Sequence, residues 1–312
     1  MLKKSIIFCA LLAGVMLCAV PAAKIPATAV ISGYANISEI IKYPMINQAL
    51  AAKPMPEGLT IEDFDGKAAV GITLGKPASQ NNMRIDLVIT TKKPVAAKFF
   101  AMISEKALAQ GAKKTKIGGK MAVADKNARV ILVSPKEIIM QVKKGRVKFA
   151  NLKKTKNMLT AAPEIKNSTA VAAFNIAACI NMAPAVPAEA KGQFSNEIGI
   201  FAATLAADGS VALTLRVVHK NAEDCKKSLV DFNQKIEQLK QNPMAAIFAD
   251  KFTAAVKGND LVISGSFNAE EVQSLLAQAM MFAGSMSQQL SAPGAAPAAP
   301  AAPAAPAAPA AK

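Results

Sequence analysis

Tryptophan is absent from this chain, tyrosine occurs twice and histidine once. A core without the largest side chains buries less area per residue, and although 52% of the residues are hydrophobic, much of that share is alanine. One histidine and four cysteines, with no Cys-x-x-Cys, exclude a zinc knuckle and a dithiol redox pair. Past the amino terminus there is no apolar run of the roughly 20 residues that a membrane-spanning helix needs. At 312 residues there is room for one large domain or two ordinary ones.

What is present begins with "MLKKSIIFCALLAGVMLCAVPAAK", where Lys3 and Lys4 precede the apolar stretch Ser5 to Val20 and the small residues around Ala22. This predicts a secretory signal peptide over residues 1–22 and an exported chain, periplasmic or extracellular. An uncleaved anchor is the alternative, and sixteen apolar residues are short for it. Cleavage removes Cys9 and Cys18 and leaves Cys179 and Cys225 as an even pair in an oxidising compartment. They form either one disulfide, worth about 4 kcal/mol for a loop of this length, or two buried free thiols.

Hydrophobic periodicity then repeats. "MRIDLVITT" alternates as a half-buried strand, and "PVAAKFFAMISEKALAQG" opens on Pro94, places Val95, Phe99 and Met102 on one helical face and stops at Gly111. Downstream, "VALTLRVVH" alternates in the same way. The helix after it spaces Ala222, Cys225, Leu229, Phe232, Ile236 and Leu239 by three and four. "TAVISGYANI" at Thr28 matches "TAVAAFNIAACI" at Thr169, and "KAAVGITL" at Lys67 matches "EIGIFAATL" at Glu197. "KTKIGGKMAVADKNARVILV" matches "KFTAAVKGNDLVISG" as two strands around an Asp/Asn/Gly turn. Each copy is expected to close on a capped helix, Ser134 to Glu137 ahead of "IIMQVKK" and Asn268 to Glu271 ahead of "VQSLLAQAM". The first copy adds "SEIIKYPMINQALAA", a helix with a proline break, where the second has the proline-rich "NMAPAVPAEAKG".

The expected architecture is therefore α+β, with two tandem copies of a module of antiparallel strands that carries its helices on one face and can share one sheet. The modules span residues 25–145 and 168–285, a lysine-rich connector spans 146–167, and an Ala/Pro-rich tail at 286–312 is too poor in large apolar residues to fold.

Net charge is +16, and 33 of the 37 basic residues are lysine. Between Lys92 and Lys166 seventeen Lys and two Arg face only four acids, so this stretch holds +15 and the rest is near neutral. The densest runs make Lys113, Lys114, Lys116, Lys120, Lys143, Lys144, Arg146, Lys153, Lys154 and Lys156 the candidate anion-binding residues. An anionic envelope polymer, or another envelope protein, is the expected partner, against a simpler reading as a solvated lysine coat. Nucleic acid fits poorly, because guanine-reading arginines and stacking aromatics are scarce.

Catalytic and metal motifs are weak. "RVVHKNAEDCKKSL" gathers His219, Glu223, Asp224 and Cys225, but it lies at a strand-to-helix junction where Cys225 falls on the apolar stripe and the carboxylates suit a first helical turn. "EDFDG" at Glu62 lacks the later ligands of a calcium loop, and "GGKMA" at Gly118 lacks the Ser/Thr that follows lysine in a phosphate loop. No catalytic residue, metal or cofactor is expected. The leading expectation is an exported, non-catalytic envelope protein. A hydrolase whose carboxylates pair only in the fold, and a carrier or chaperone using the Met280, Met281 and Met286 segment, are the alternatives.

The opening "IPATAVISGYANISEII", with the strand, helix and strand-pair order after it, loosely resembles exported bacterial proteins of unknown function. The resemblance covers residues 25–145. It implies an envelope location and carries no site residues.

Overall fold

The computed structural model describes residues 22–43, 46–47, 59–79, 81–150, 155–182, 197–241, 246 and 249–274. The expected signal peptide, apart from Ala22, lies outside these residues, as do the methionine-rich segment and the Ala/Pro tail. The chain divides after Ala269 into two compact units, and the first holds every described strand.

This first unit is α+β and mostly antiparallel sheet. Its strands are β1 (Ile31–Asn36), β2 (Gly66–Ser79), β3 (Asn82–Thr91), β4 (Lys113–Ile117), β5 (Lys120–Ala124), β6 (Ala128–Ser134), β7 (Glu137–Lys144), β8 (Ala170–Asn175), β9 (Ile198–Leu205), β10 (Val211–Val218), β11 (Phe252–Lys257) and β12 (Asp260–Phe267). They form one sheet in the order β11-β12-β10-β9-β8-β1-β2-β3-β7-β6-β5-β4. Every pairing is antiparallel, and the join in the middle is β1 against β8, with Tyr34 opposite Val171. Among the described residues the strands are accompanied by the helices α1 (Ile37–Ile40), α2 (Ala96–Ala109), α3 (Ile176–Met182) and α4 (Ala222–Lys240).

The alternation read from sequence places the core. Leu87, Ile138, Met140 and Val130 share the side of the sheet that α2 covers with Ala96 and Ile103. On the opposite side, Val88, Ile139, Ile131 and Ala69 pack against Ile25 and Ala29, so the first half is buried on both faces. A third cluster spans the join, bringing Tyr34, Ile37 and Ile40 onto Val171, Ala173 and Ile200.

Two expectations are corrected. Glu137–Lys144 is β7 and not a capped helix: Ile138 to Gln141 are all buried, because β7 lies between β3 and β6 with both faces covered. The Ser134 hydroxyl that resembled a helix cap accepts the Lys136 N–H at 3.2 Å in the tight β6–β7 turn. The segment after Gly111 makes three strands and not two, since Gly118 and Gly119 both take positive φ and turn β4 back onto β5. The opening strand of the second half runs from Ala170 to Asn175, and α3 follows it directly, as α1 follows β1.

Other readings match the structure. Asn221 caps α4, its Oδ1 accepting the Asp224 N–H at 2.9 Å, with Glu223 and Asp224 in the first turn. Asp208-Gly209 forms the β9–β10 turn, where Gly209 sits at φ +86°.

Candidate functional site: an apolar groove and two charged regions

The site grows from how α2 and α4 cover their strands. α2 lies over β3, β5, β6 and β7 and closes its core. α4 packs chiefly on β11 and β12, so that among the described residues the neighbouring face of β9 and β10 is uncovered beneath its edge. Register puts Phe201, Leu215 and Ile263 in one row across β9, β10 and β12, and Leu213, Gly265 and Phe252 in the next. Gly265 is needed there, because a Cβ would stand 2.8 Å from the Phe252 ring. Phe252 in turn meets Phe267 edge to face, with centroids 5.6 Å apart.

Phe232, Ile236 and Leu239 of α4 form the roof of a groove of about 430 Å³ whose lining, among the described residues, is entirely apolar. At its mouth Leu239 stays 48% exposed and Phe201 39%. The stripe read from the sequence of α4 is therefore real, but only Cys225 at its start is fully buried.

His219 and Cys225 do not form a nucleophilic pair. His219 Nε2 is buried without a hydrogen-bond partner among the described residues, and burial pushes the Cys225 thiol up, with Asp260 adding to the effect. Cys179 and Cys225 are both free thiols, so the disulfide is not formed. The topology separates them: α3 continues β8, whereas α4 lies over β11 and β12, and β8 to β12 is three strand spacings, roughly 14 Å. A disulfide requires Cα atoms within about 7 Å. Among the described residues no group of three or more His, Cys, Asp or Glu is placed to hold a metal, and no helix is long and apolar enough to cross a membrane. Asp65 of "EDFDG" is engaged by the Ser38 hydroxyl and by Lys92 at 3.0 Å; the Ser38 bond, ahead of Lys92, holds its carboxyl below the usual range.

The candidate anion-binding residues divide into two regions. Lys113, Lys114 and Lys116 on β4 and Lys120 on β5 are exposed, and no carboxylate approaches them within 4 Å among the described residues. Lys143, Lys144 and Arg146 lie at the end of β7, three strand spacings or roughly 14 Å from β4. There Lys143 is used structurally, its ammonium 5.3 Å from the centre of the Phe149 ring, while Lys144 bonds Asn81. Lys156 is exposed, and Lys153 and Lys154 lie outside the described residues.

A buried charged network was not foreseen from sequence. Arg84 Nε donates to both Asp86 oxygens at 2.8 and 3.0 Å, and its other nitrogens reach Thr73 Oγ1 at 3.0 Å and the Lys148 carbonyl at 2.6 Å. Gln141 Nε2 donates to Asp86, while Arg129 donates to Gln141 Oε1 at 2.5 Å and to the Ala150 carbonyl at 2.7 Å. Burial pushes the Asp86 carboxyl above its ordinary value, outweighing the pull of Arg84 and Gln141. Register was the available signal, because Asp86, Gln141 and Arg129 are direct cross-strand neighbours on β3, β7 and β6. A second network joins Arg216 to Glu164 at 2.5 and 2.9 Å and to Asp260 at 3.0 Å.

No family model matches the chain, and no curated protein matches it. Among solved structures, crystal form I of TP0453 aligns at 14% identity with a TM-score of 0.45, covering 83% of this chain and 97% of that one. Crystal form III aligns at 12% and 0.43, covering 83% and 98%, and form IV at 10% and 0.42, covering 85% and 99%.

Proposed function

We propose that this is an exported, non-catalytic binding protein that carries an apolar ligand in the groove beneath α4. One observation carries the reading: a helix and a sheet face of matching apolar character leave about 430 Å³ between them with no polar lining residue among the described residues. That volume is within the usual range of small-ligand sites, roughly 300 to 1,000 Å³, and the lining selects for hydrocarbon over polar groups. This is the carrier reading, moved from the methionine segment to α4. The module boundaries at 25–145 and 168–285, the connector at 146–167 and the signal peptide belong to the same proposal. The strand order supports a duplication, since β1-β2-β3-α2 and β8-β9-β10-α4 run in the same sequence outward from the middle of the sheet.

The experiment is displacement of a fluorescent fatty acid from the purified chain. Leu213→Arg and Ile236→Glu, which place charge in the groove, should each weaken binding at least tenfold while leaving the fold intact. Unchanged binding in both variants, or none in the wild type, rules the groove out as the site.

A second reading, attraction to an anionic envelope polymer, is favoured by the four exposed lysines of the β4–β5 hairpin, which no described carboxylate approaches. It predicts retention on an anionic matrix that falls as salt rises and that Lys114→Glu with Lys116→Glu removes. Retention unaltered by both changes excludes it.

A further inference from the structure

The two edges of the sheet are built differently. β4 carries Lys113, Lys114 and Lys116 among its five residues, a charged edge of the kind that rejects strand pairing. β11, at the opposite end, reads Phe-Thr-Ala-Ala-Val-Lys, with five uncharged residues before Lys257. Among the described residues it pairs with β12 alone. The helix above it is balanced, with four lysines and four acids between Ala222 and Lys240. Two copies meeting through β4 would set lysine against lysine. Two copies meeting through β11 set uncharged residues opposite one another from Phe252 to Val256, and lysine meets lysine only at the flanking Lys251 and Lys257.

We propose that β11 is the pairing edge for a second copy of this chain, joined across a two-fold axis into one continuous antiparallel sheet. Side-chain alternation restricts the register, because a shared sheet keeps each residue on its own face. With Ala254 opposite the partner's Ala254, Phe252 lies opposite the partner's Val256 and Thr253 opposite the partner's Ala255. The half-buried residues Phe252, Ala254 and Val256 then continue an apolar row, while the exposed Thr253 and Ala255 form the outer row. An axis perpendicular to the sheet brings the two α4 helices to the same side. α4 carries Val230 at 55% exposure and Leu239 at 48%, which are among the few exposed large apolar residues of the unit.

The test is sedimentation equilibrium of the purified full chain over a wide concentration range. A monomer–dimer equilibrium that persists in 1 M salt is expected, since the edge pairs through uncharged residues. Ala255→Lys and, separately, Thr253→Glu change exposed residues that do not line the groove, and each should weaken the dimer at least tenfold while the melt of the dilute monomer stays unchanged. Lys114→Ala should leave the dimer intact. A wild type that stays monomeric at every concentration overturns the proposal, as does a dimer indifferent to both β11 substitutions.

Discussion

Replacing Asp86 by alanine tests how the first half of the sheet tolerates charge in its interior. The side chains of Arg84 and Asp86 are 7% and 2% exposed, so removing the carboxylate strands a guanidinium that water cannot reach. Thr73 Oγ1 and the Lys148 carbonyl still accept from it, but neither carries charge, and Gln141 Nε2 loses its acceptor as well. Breaking one side of such a pair costs about 3–5 kcal/mol, a large part of the roughly 5–15 kcal/mol that holds a typical domain. The double substitution Arg84→Met with Asp86→Leu removes both charges. It leaves only neutral groups short of a partner, at about 1 kcal/mol each. With Thr73 Oγ1, the Lys148 carbonyl and Gln141 Nε2 all left short, the double variant should recover part of the loss and fall well short of the sum of the two singles. Urea midpoints of the wild type, both single variants and the double at pH 7 close the thermodynamic cycle. An Asp86→Ala cost below about 1 kcal/mol, or a double variant as unstable as the two singles added together, would show that the buried pair does not act as a coupled unit.

Three further outcomes follow from the same geometry. Burial raises the Glu164 carboxyl but the Arg216 bonds outweigh it, so the folded pKa lies below the ordinary 4.5. Its stabilisation is then complete above that value and lost as pH falls through the folded one, and the stability difference between wild type and Glu164→Gln should shrink in acid. Gly66→Ala should destabilise by about 2 kcal/mol in a thermal melt, because its Cβ would stand 2.1 Å from the Thr90 carbonyl oxygen. Thiol titration of the native protein should label Cys179 faster than the fully buried Cys225, with no change in electrophoretic mobility on reduction.

Legibility in the sequence followed the polar positions. β3 and β10 carry polar side chains on one face, Arg84 and Asp86 on the first and Thr214 and Arg216 on the second, and α2 and α4 keep a face in solvent, so their periodicities of two and 3.6 could be read directly. β7 could not, because strands on both sides and cover above and below remove the polar positions that would mark alternation. Its Ser-Pro-Lys-Glu opening is shared by helix caps and tight turns. The β-branched pair Ile138-Ile139 was the signal favouring a strand. The groove needed the structure, since the apolar stripe of α4 looks the same whether a sheet covers it fully or partly. The Arg84–Asp86–Gln141–Arg129 network likewise depends on pairings between β3, β7 and β6 that only register reveals.

The β1–β8 join sets an order of events during synthesis. Ile31 meets Phe174, so the middle of the sheet cannot close until more than half of the chain has been made. Until then β1 presents a bare edge formed by Ser32, Gly33, Tyr34 and Ala35, with no charged residue to discourage chance pairing. Contacts this distant in sequence slow folding and lengthen the life of such an edge. A chain truncated before Ala170 should therefore accumulate as aggregate even though all of β2 to β7 is present, and a helper that shields β1 would be most useful before translation reaches the second half.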